Sequence, residues 1–134
     1  MRTRRGLDPL NSGLQQVNTA MVVEDDPLLA FSLATALRDV GVTSVVTMAR
    51  AADAFAAMAD NRPDLLVLDL SLSDSEDGWG IAEIAIQVFS PPPRLIFSTG
   101  APDRVPPHLA RLGTIFAKPY DPDELARRAV SDGS

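Results

Sequence analysis

Residues 65–72 read LLVLDLSL, and this stretch restricts the possible folds more than any other. Five of its first six residues are apolar, and the exception is Asp69. A turn signal, Arg62-Pro63-Asp64, precedes it, and the polar residues Ser71, Ser73, Asp74 and Ser75 follow. A short apolar run of this kind suits a strand covered on both faces, as in a parallel sheet with helices above and below. Asp69 then falls at the carboxyl end of the strand, where open parallel sheets place their ligand crevices. The plainer reading is an Asp that caps the next turn.

The rest of the chain alternates in the same way. Residues 20–23 (AMVV) form a short apolar strand that runs into Glu24, Asp25 and Asp26. Asp26 can cap a helix with Pro27 at its first position, Leu29, Leu33, Ala36, Leu37 and Val40 on one face, and Gly41 as its stop. Residues 42–47 are rich in β-branched side chains and read as a second strand. A helix over 51–61 carries Ala51, Ala54, Phe55 and Met58 on its apolar face. After the Asp69 strand, Ile81, Ile84, Ala85 and Val88 mark a third helix, which Pro91-Pro92-Pro93 stops. Residues 94–98 (RLIFS) are a fourth strand, ending in Thr99-Gly100. Pro102, Pro106 and Pro107 leave room only for a short helical turn from Pro107, since an interior proline costs a helix about 3 kcal/mol. Residues 114–117 make a fifth strand into Lys118-Pro119. Asp121-Pro122-Asp123-Glu124 resembles a capping box that opens a last helix ending near Val130.

Five strands alternating with helices predict an α/β fold with a doubly wound parallel sheet and helices on both faces, the fourth helix short or irregular. The expected organisation is a mobile N-terminal arm over 1–18, one domain over 19–131, and a tail over 132–134, with no second domain to act as effector.

Composition removes several functions. The absence of cysteine excludes disulfides, thiol catalysis and thiolate metal sites. A net charge of −6 argues against general nucleic-acid binding. No apolar run approaches the roughly 18 residues of a membrane span, so a cytoplasmic protein is expected. Neither G-x-G-x-x-G nor G-K-[ST] occurs, which leaves no glycine-rich nucleotide loop. The basic residues are uneven: eleven arginines and a single lysine, Lys118. An ammonium is a compact point charge where a guanidinium is a wide fork, so a lone lysine draws notice.

Each polar candidate follows an apolar strand directly. Glu24 and Asp25 follow the first, Asp69 ends the third, Thr99 follows the fourth and Lys118 the fifth. In a parallel sheet the carboxyl ends share one edge, so these residues converge. Carboxylates at 5 Å repel by about 3 kcal/mol at an effective dielectric near 20. Lys118 balances part of that charge, and a hard divalent ion held by oxygen ligands, Mg²⁺ above all, suits the remainder. A carboxylate placed beside a metal, a lysine and a hydroxyl can attack a phosphoryl group and form an acyl phosphate.

VVEDDP, LLVLDL, STG and AKP, in that order, resemble the receiver domain of two-component response regulators. Spacing supports the likeness, with 44 residues from Asp25 to Asp69 and 30 from Asp69 to Thr99. The resemblance covers residues 19–131 and implies a flavodoxin-like sheet in order 2-1-3-4-5. It implies that Asp69 accepts a phosphoryl group from a histidine kinase or histidine phosphotransfer protein. It also implies Mg²⁺ on Asp25, Asp69 and the Ser71 backbone carbonyl, with Glu24 acting through a water. Thr99 would meet the phosphoryl oxygens, and Lys118 would pair first with Asp69 and then with the phosphate. A cis Lys118-Pro119 bond is expected too. Output would pass through altered protein contacts, with no enzymatic turnover beyond self-catalysed phosphorylation and dephosphorylation.

Three features depart from the family pattern. The loop after Asp69 is one residue longer before Asp77-Gly78, with Ser73 where a proline is common. The fourth helix is broken by prolines. Ile115 stands where an aromatic switch residue is usual. The alternatives are a phosphorylation-independent adaptor of the same fold and a small phosphoaspartate hydrolase. The hydrolase would usually carry a second acid where this chain has Ser71. Elsewhere the plain readings hold: Trp79 as packing, His108 as a solvated loop residue, Asp74 to Gly78 as no calcium loop, and Arg127 and Arg128 as partners of the last helix's dipole.

Overall fold

A computed structural model of the protein describes residues 16–71 and 78–131. Most of the N-terminal arm, the tail, and Ser73, Asp74, Ser75 and Asp77 of the long loop lie outside the described residues. Five strands, β1 (Thr19–Val23), β2 (Ser44–Met48), β3 (Leu65–Asp69), β4 (Arg94–Thr99) and β5 (Gly113–Ala117), form one parallel sheet in the order β2-β1-β3-β4-β5. The helices between and after them are α1 (Pro27–Asp39), α2 (Ala51–Asp60), α3 (Gly78–Val88), α4 (Pro107–Ala110) and α5 (Pro122–Val130). The sheet order and the short fourth helix agree with the expectation. The proline-rich segment holds only a 3-10 turn over Pro102–Arg104 and the four residues of α4.

Local chemistry explains the boundaries. Asp26 caps α1, its Oδ1 accepting from the backbone of Leu28 and Leu29 at 3.0 and 3.4 Å, and Pro27 follows at the first helical position. Gly41 ends the turn after α1 at φ +103°, a conformation L side chains rarely adopt. Asp121 caps α5 by accepting from Asp123 N at 2.9 Å. At the other end of α5, the guanidinium of Arg94 donates to the carbonyls of Ala129 and Ser131 and ties the helix to the start of β4.

β3 is buried at all five positions, as a central strand with covered faces must be. Side-chain alternation splits the core into two layers. Met21, Val23, Leu66, Leu68, Leu95 and Phe97 pack under α2 and α3. Ala20, Val22, Leu65, Val67, Ile96 and Phe116 pack under α1 and α5. Val17, expected in the arm, is buried with the second layer, and Asn18 N donates to Asp64 Oδ2 at 2.9 Å. These two residues are part of the fold.

Three expected core positions are corrected. Ile84 and Val88 are 41% and 60% exposed, and Phe55 is 38% exposed. The buried stripe of α3 runs through Gly78, Ile81, Ala82 and Ala85. Ile84 then lies about 110° and Val88 about 70° around the axis from its centre. In α2 the stripe is Ala51, Ala54 and Met58, and Phe55 sits at its margin.

Candidate functional site

The carboxyl ends of β1, β3, β4 and β5 bring together Glu24, Asp25, Asp69, Thr99 and Lys118, as the alternation predicted. Glu24, Asp69 and Thr99 are 2%, 1% and 3% exposed, while Asp25 is half-buried at the rim. Glu24, Asp25 and Asp69 each offer a carboxylate oxygen, and these atoms lie within 4.8 Å of one another.

Lys118 faces this cluster. Its Nζ lies 3.2 Å from Glu24 Oε1 and 3.4 Å from Asp69 Oδ2. The Asp69 contact was expected, but the equally close Glu24 contact was not. The backbone of Lys118 is held by its own N–H, which donates to Thr99 O at 2.8 Å. The Lys118-Pro119 peptide bond is cis. Burial works to lower the pKa of the ammonium, but the charges of Asp69 and Glu24 outweigh it and hold the pKa above its ordinary value.

Glu24 is the strained member. Its Oε2 accepts from Asp26 N at 3.0 Å. Oε1 is buried and, among the described residues, has no hydrogen bond, its contact with Lys118 being ionic only. Burial pushes the Glu24 carboxyl up to about 7; the backbone bond from Asp26 opposes this, and the charge of Asp69 adds to it. Three carboxylates gathered this closely, one with a buried oxygen that has no hydrogen bond, form a donor set that fits a hard, oxygen-loving ion such as Mg²⁺.

Asp69 Oδ1 accepts from Ser71 N at 2.9 Å, which folds the chain sharply after β3 and brings the Ser71 backbone to the site. The start of α3 closes on the same point. A Cβ on Gly78 would stand 2.8 Å from both Asp69 O and Leu70 Cα, so only glycine lets the helix approach the strand end. Thr99 Oγ1 accepts from Ala101 N at 2.9 Å and braces the loop after β4.

Sequence reasoning passed over Ser98 and Tyr120, whose hydroxyls lie 2.8 Å apart beneath the site. The one available signal was the position of two hydroxyl residues, one just before Thr99 and one two residues after Lys118. Two peripheral residues are refined. His108 lies in α4, and its Nε2 is 3.1 Å from Glu83 Oε2 of α3, both side chains being exposed. Arg128 covers the Phe116 ring at 5.2 Å, whereas Arg127 pairs loosely with Glu124 at 3.6 Å.

A five-stranded parallel sheet in this order, with an acidic cluster and a lysine at its carboxyl edge, defines a receiver-type signalling module. The family model of the response regulator receiver domain matches residues 20–130, and the chain belongs to that family. A response regulator receiver domain from Methylobacillus flagellatus is similar in structure, with a TM-score of 0.72, 19% identity, and coverage of 87% of this chain and 100% of that one. A response regulator from Chloroflexus aurantiacus has a TM-score of 0.70 at 26% identity, covering 85% and 94% of the two chains. TrrA of Thermotoga maritima, solved with Mg²⁺ and a beryllium fluoride, has a TM-score of 0.70 at 19% identity, covering 83% and 95%. No match was found among curated proteins. Among the described residues, no helix is long and apolar enough to cross a membrane.

Proposed function

We propose that this receiver domain accepts a phosphoryl group on Asp69 from the phosphohistidine of a partner kinase or phosphotransfer protein, and signals through altered protein contacts. The observation that carries this reading is a nearly inaccessible carboxylate held 3.4 Å from the chain's single lysine and beside two further acids. An acid so placed is a poor structural ion pair but a good nucleophile toward a phosphoryl centre once its neighbours' charge is balanced.

In the transfer, an Asp69 carboxylate oxygen forms the new P–O bond while the P–N bond to the donor imidazole breaks. The freed imidazole leaves with the electron pair and takes up a proton from its surroundings. Lys118 stays close to Asp69 and neutralises phosphoryl oxygens as their charge develops. The hydroxyl of Thr99 donates to one of those oxygens, giving up its part in bracing Ala101. Asp25, Asp69 and the Ser71 carbonyl would hold Mg²⁺, with Glu24 through a water, and the bound ion would neutralise the charge gathered at the phosphoryl oxygens. Glu24 and Asp25 otherwise keep the pocket too anionic for phosphate to enter unaided.

The test is intact mass measurement with peptide mapping after incubation with Mg²⁺ and acetyl phosphate. A gain of one phosphoryl group on Asp69, absent in Asp69→Asn, is expected. Undiminished labelling of that variant at another residue would refute the assignment. Mg²⁺ titration followed by Trp79 fluorescence should show strongly weakened binding in Asp25→Ala. Equal affinity in that variant and the parent would remove Asp25 from the metal site.

A further inference from the structure

One buried polar contact takes no direct part in the chemistry above. Ser98 Oγ and Tyr120 OH lie 2.8 Å apart. Ser98 is 1% exposed and sits directly opposite Asp69 in the β3–β4 register. Tyr120 lies two residues beyond Lys118. β5 ends at Ala117, so Lys118 begins the segment that leaves the sheet.

Two bonds strap that segment to β4. Lys118 N donates to Thr99 O, and the Tyr120 hydroxyl meets that of Ser98. The Tyr120 ring is packed in turn, edge-on to Phe116 with centroids 5.6 Å apart, and the Arg128 guanidinium also covers the Phe116 ring. Burial raises the pKa of the phenol, so it stays protonated and able to donate.

The lysine side chain is a flexible four-carbon stem ending in a point charge. Holding its end between Glu24 and Asp69 requires a backbone that does not drift. We propose that Tyr120 and Ser98 are positioning residues for Lys118, the hydroxyl pair clamping residues 118–120 onto β4 so that the ammonium stays between the two carboxylates. Among the described residues, neither hydroxyl bonds to the side chain of Asp69 or Lys118; each bonds to the other. The consequence for rate rests on Asp69 being the phosphoacceptor; the positioning itself does not.

Lys118 is the chain's only lysine, so ¹⁵N labelling gives a single side-chain ammonium resonance. Tyr120→Phe and Ser98→Ala each remove one hydroxyl with little change of volume. In either variant the order parameter of the Lys118 ammonium should fall, and the double variant should fall no further. Labelling of Asp69 by acetyl phosphate should slow about fivefold in each, the worth of one ordinary hydrogen bond. In a Lys118→Ala background, Tyr120→Phe should change nothing more. A role in stability alone would lower the melting temperature and leave the ammonium signal as it was. An unchanged order parameter in Tyr120→Phe, or a rate loss that persists without Lys118, overturns the proposal. A parent chain that takes no phosphate would overturn the phosphoacceptor reading instead, and the ammonium signal would still decide the positioning.

Discussion

Nζ of Lys118 lies 3.4 Å from Oδ2 of Asp69, so the chain's single lysine partners a buried carboxylate. The ammonium is shared with Glu24 at 3.2 Å, and one positive charge thus serves two buried negative ones. Removing one partner of a buried ionic group costs more than the group's net contribution, because the remaining charge is stranded.

Lys118→Ala should therefore lower stability near neutral pH by about 1–3 kcal/mol, below the range for fully buried pairs because the lysine is partly exposed. Urea denaturation would measure it. Added Mg²⁺ should restore much of the loss, since it replaces the missing positive charge. An equal loss with and without Mg²⁺ would show that the lysine acts by packing instead.

The Glu24 carboxyl gives a pH dependence with a definite sign. Its pKa rises from 4.5 in the unfolded chain to about 7 in the fold, so folding favours the protonated form. The associated stability is fully present below pH 4.5 and is lost as pH rises through about 7. The magnitude is on the order of 3 kcal/mol. Denaturation without Mg²⁺ should show stability falling across this window, and Glu24→Gln should flatten the fall. If the parent and Glu24→Gln show the same slope between these limits, burial of Glu24 does not control it.

Most of this site was legible because it sits at strand ends. Apolar runs such as those ending at Val23, Asp69 and Thr99 announce buried parallel strands, and parallel strands share a carboxyl edge. The position of Asp69, Thr99 and Lys118 then follows from topology. What was not legible depends on neighbours across the sheet. No spacing rule shows that Glu24 competes with Asp69 for Lys118, or that Ser98 meets Tyr120. The same limit applies to Phe55, Ile84 and Val88, where periodicity marked an apolar side chain but not the arc of helix that a neighbour covers.

The first helix carries its exposed apolar residues next to the acidic pocket. Leu28 and Phe31 are 79% and 69% exposed, on the side of α1 away from its buried stripe. Phe31 also lines a groove that runs from Glu24 and Asp25 to Met48. On the proposed function, a phosphohistidine donor that approaches over this rim would meet Phe31 before Asp69. Phe31→Ala should leave stability within about 0.5 kcal/mol of the parent. It should slow transfer from a histidine-phosphorylated donor while leaving labelling by acetyl phosphate unchanged. Equal slowing with both donors would place the effect inside the pocket rather than at docking.

Readout of phosphorylation should stay close to Thr99. Its hydroxyl now accepts from Ala101 N, and a phosphoryl group on Asp69 would draw that hydroxyl inward. The loop would then lose one brace. Beyond it, Val105 and Leu109 are buried, and Pro102, Pro106 and Pro107 fix φ and remove backbone donors, which limits how far the segment can rearrange. Ile115 pairs with Phe97 in the β4–β5 register and packs, half-buried, against the core under α3. It has no hydroxyl with which to report its own burial. The change should therefore be confined to residues 101–107 and the surface beside Ile115, biasing a local two-state element that a partner reads. NMR shift changes on adding beryllium fluoride with Mg²⁺ should be largest there, outside the acidic pocket itself. Larger changes on α1 or α2 would show that the signal leaves by another route.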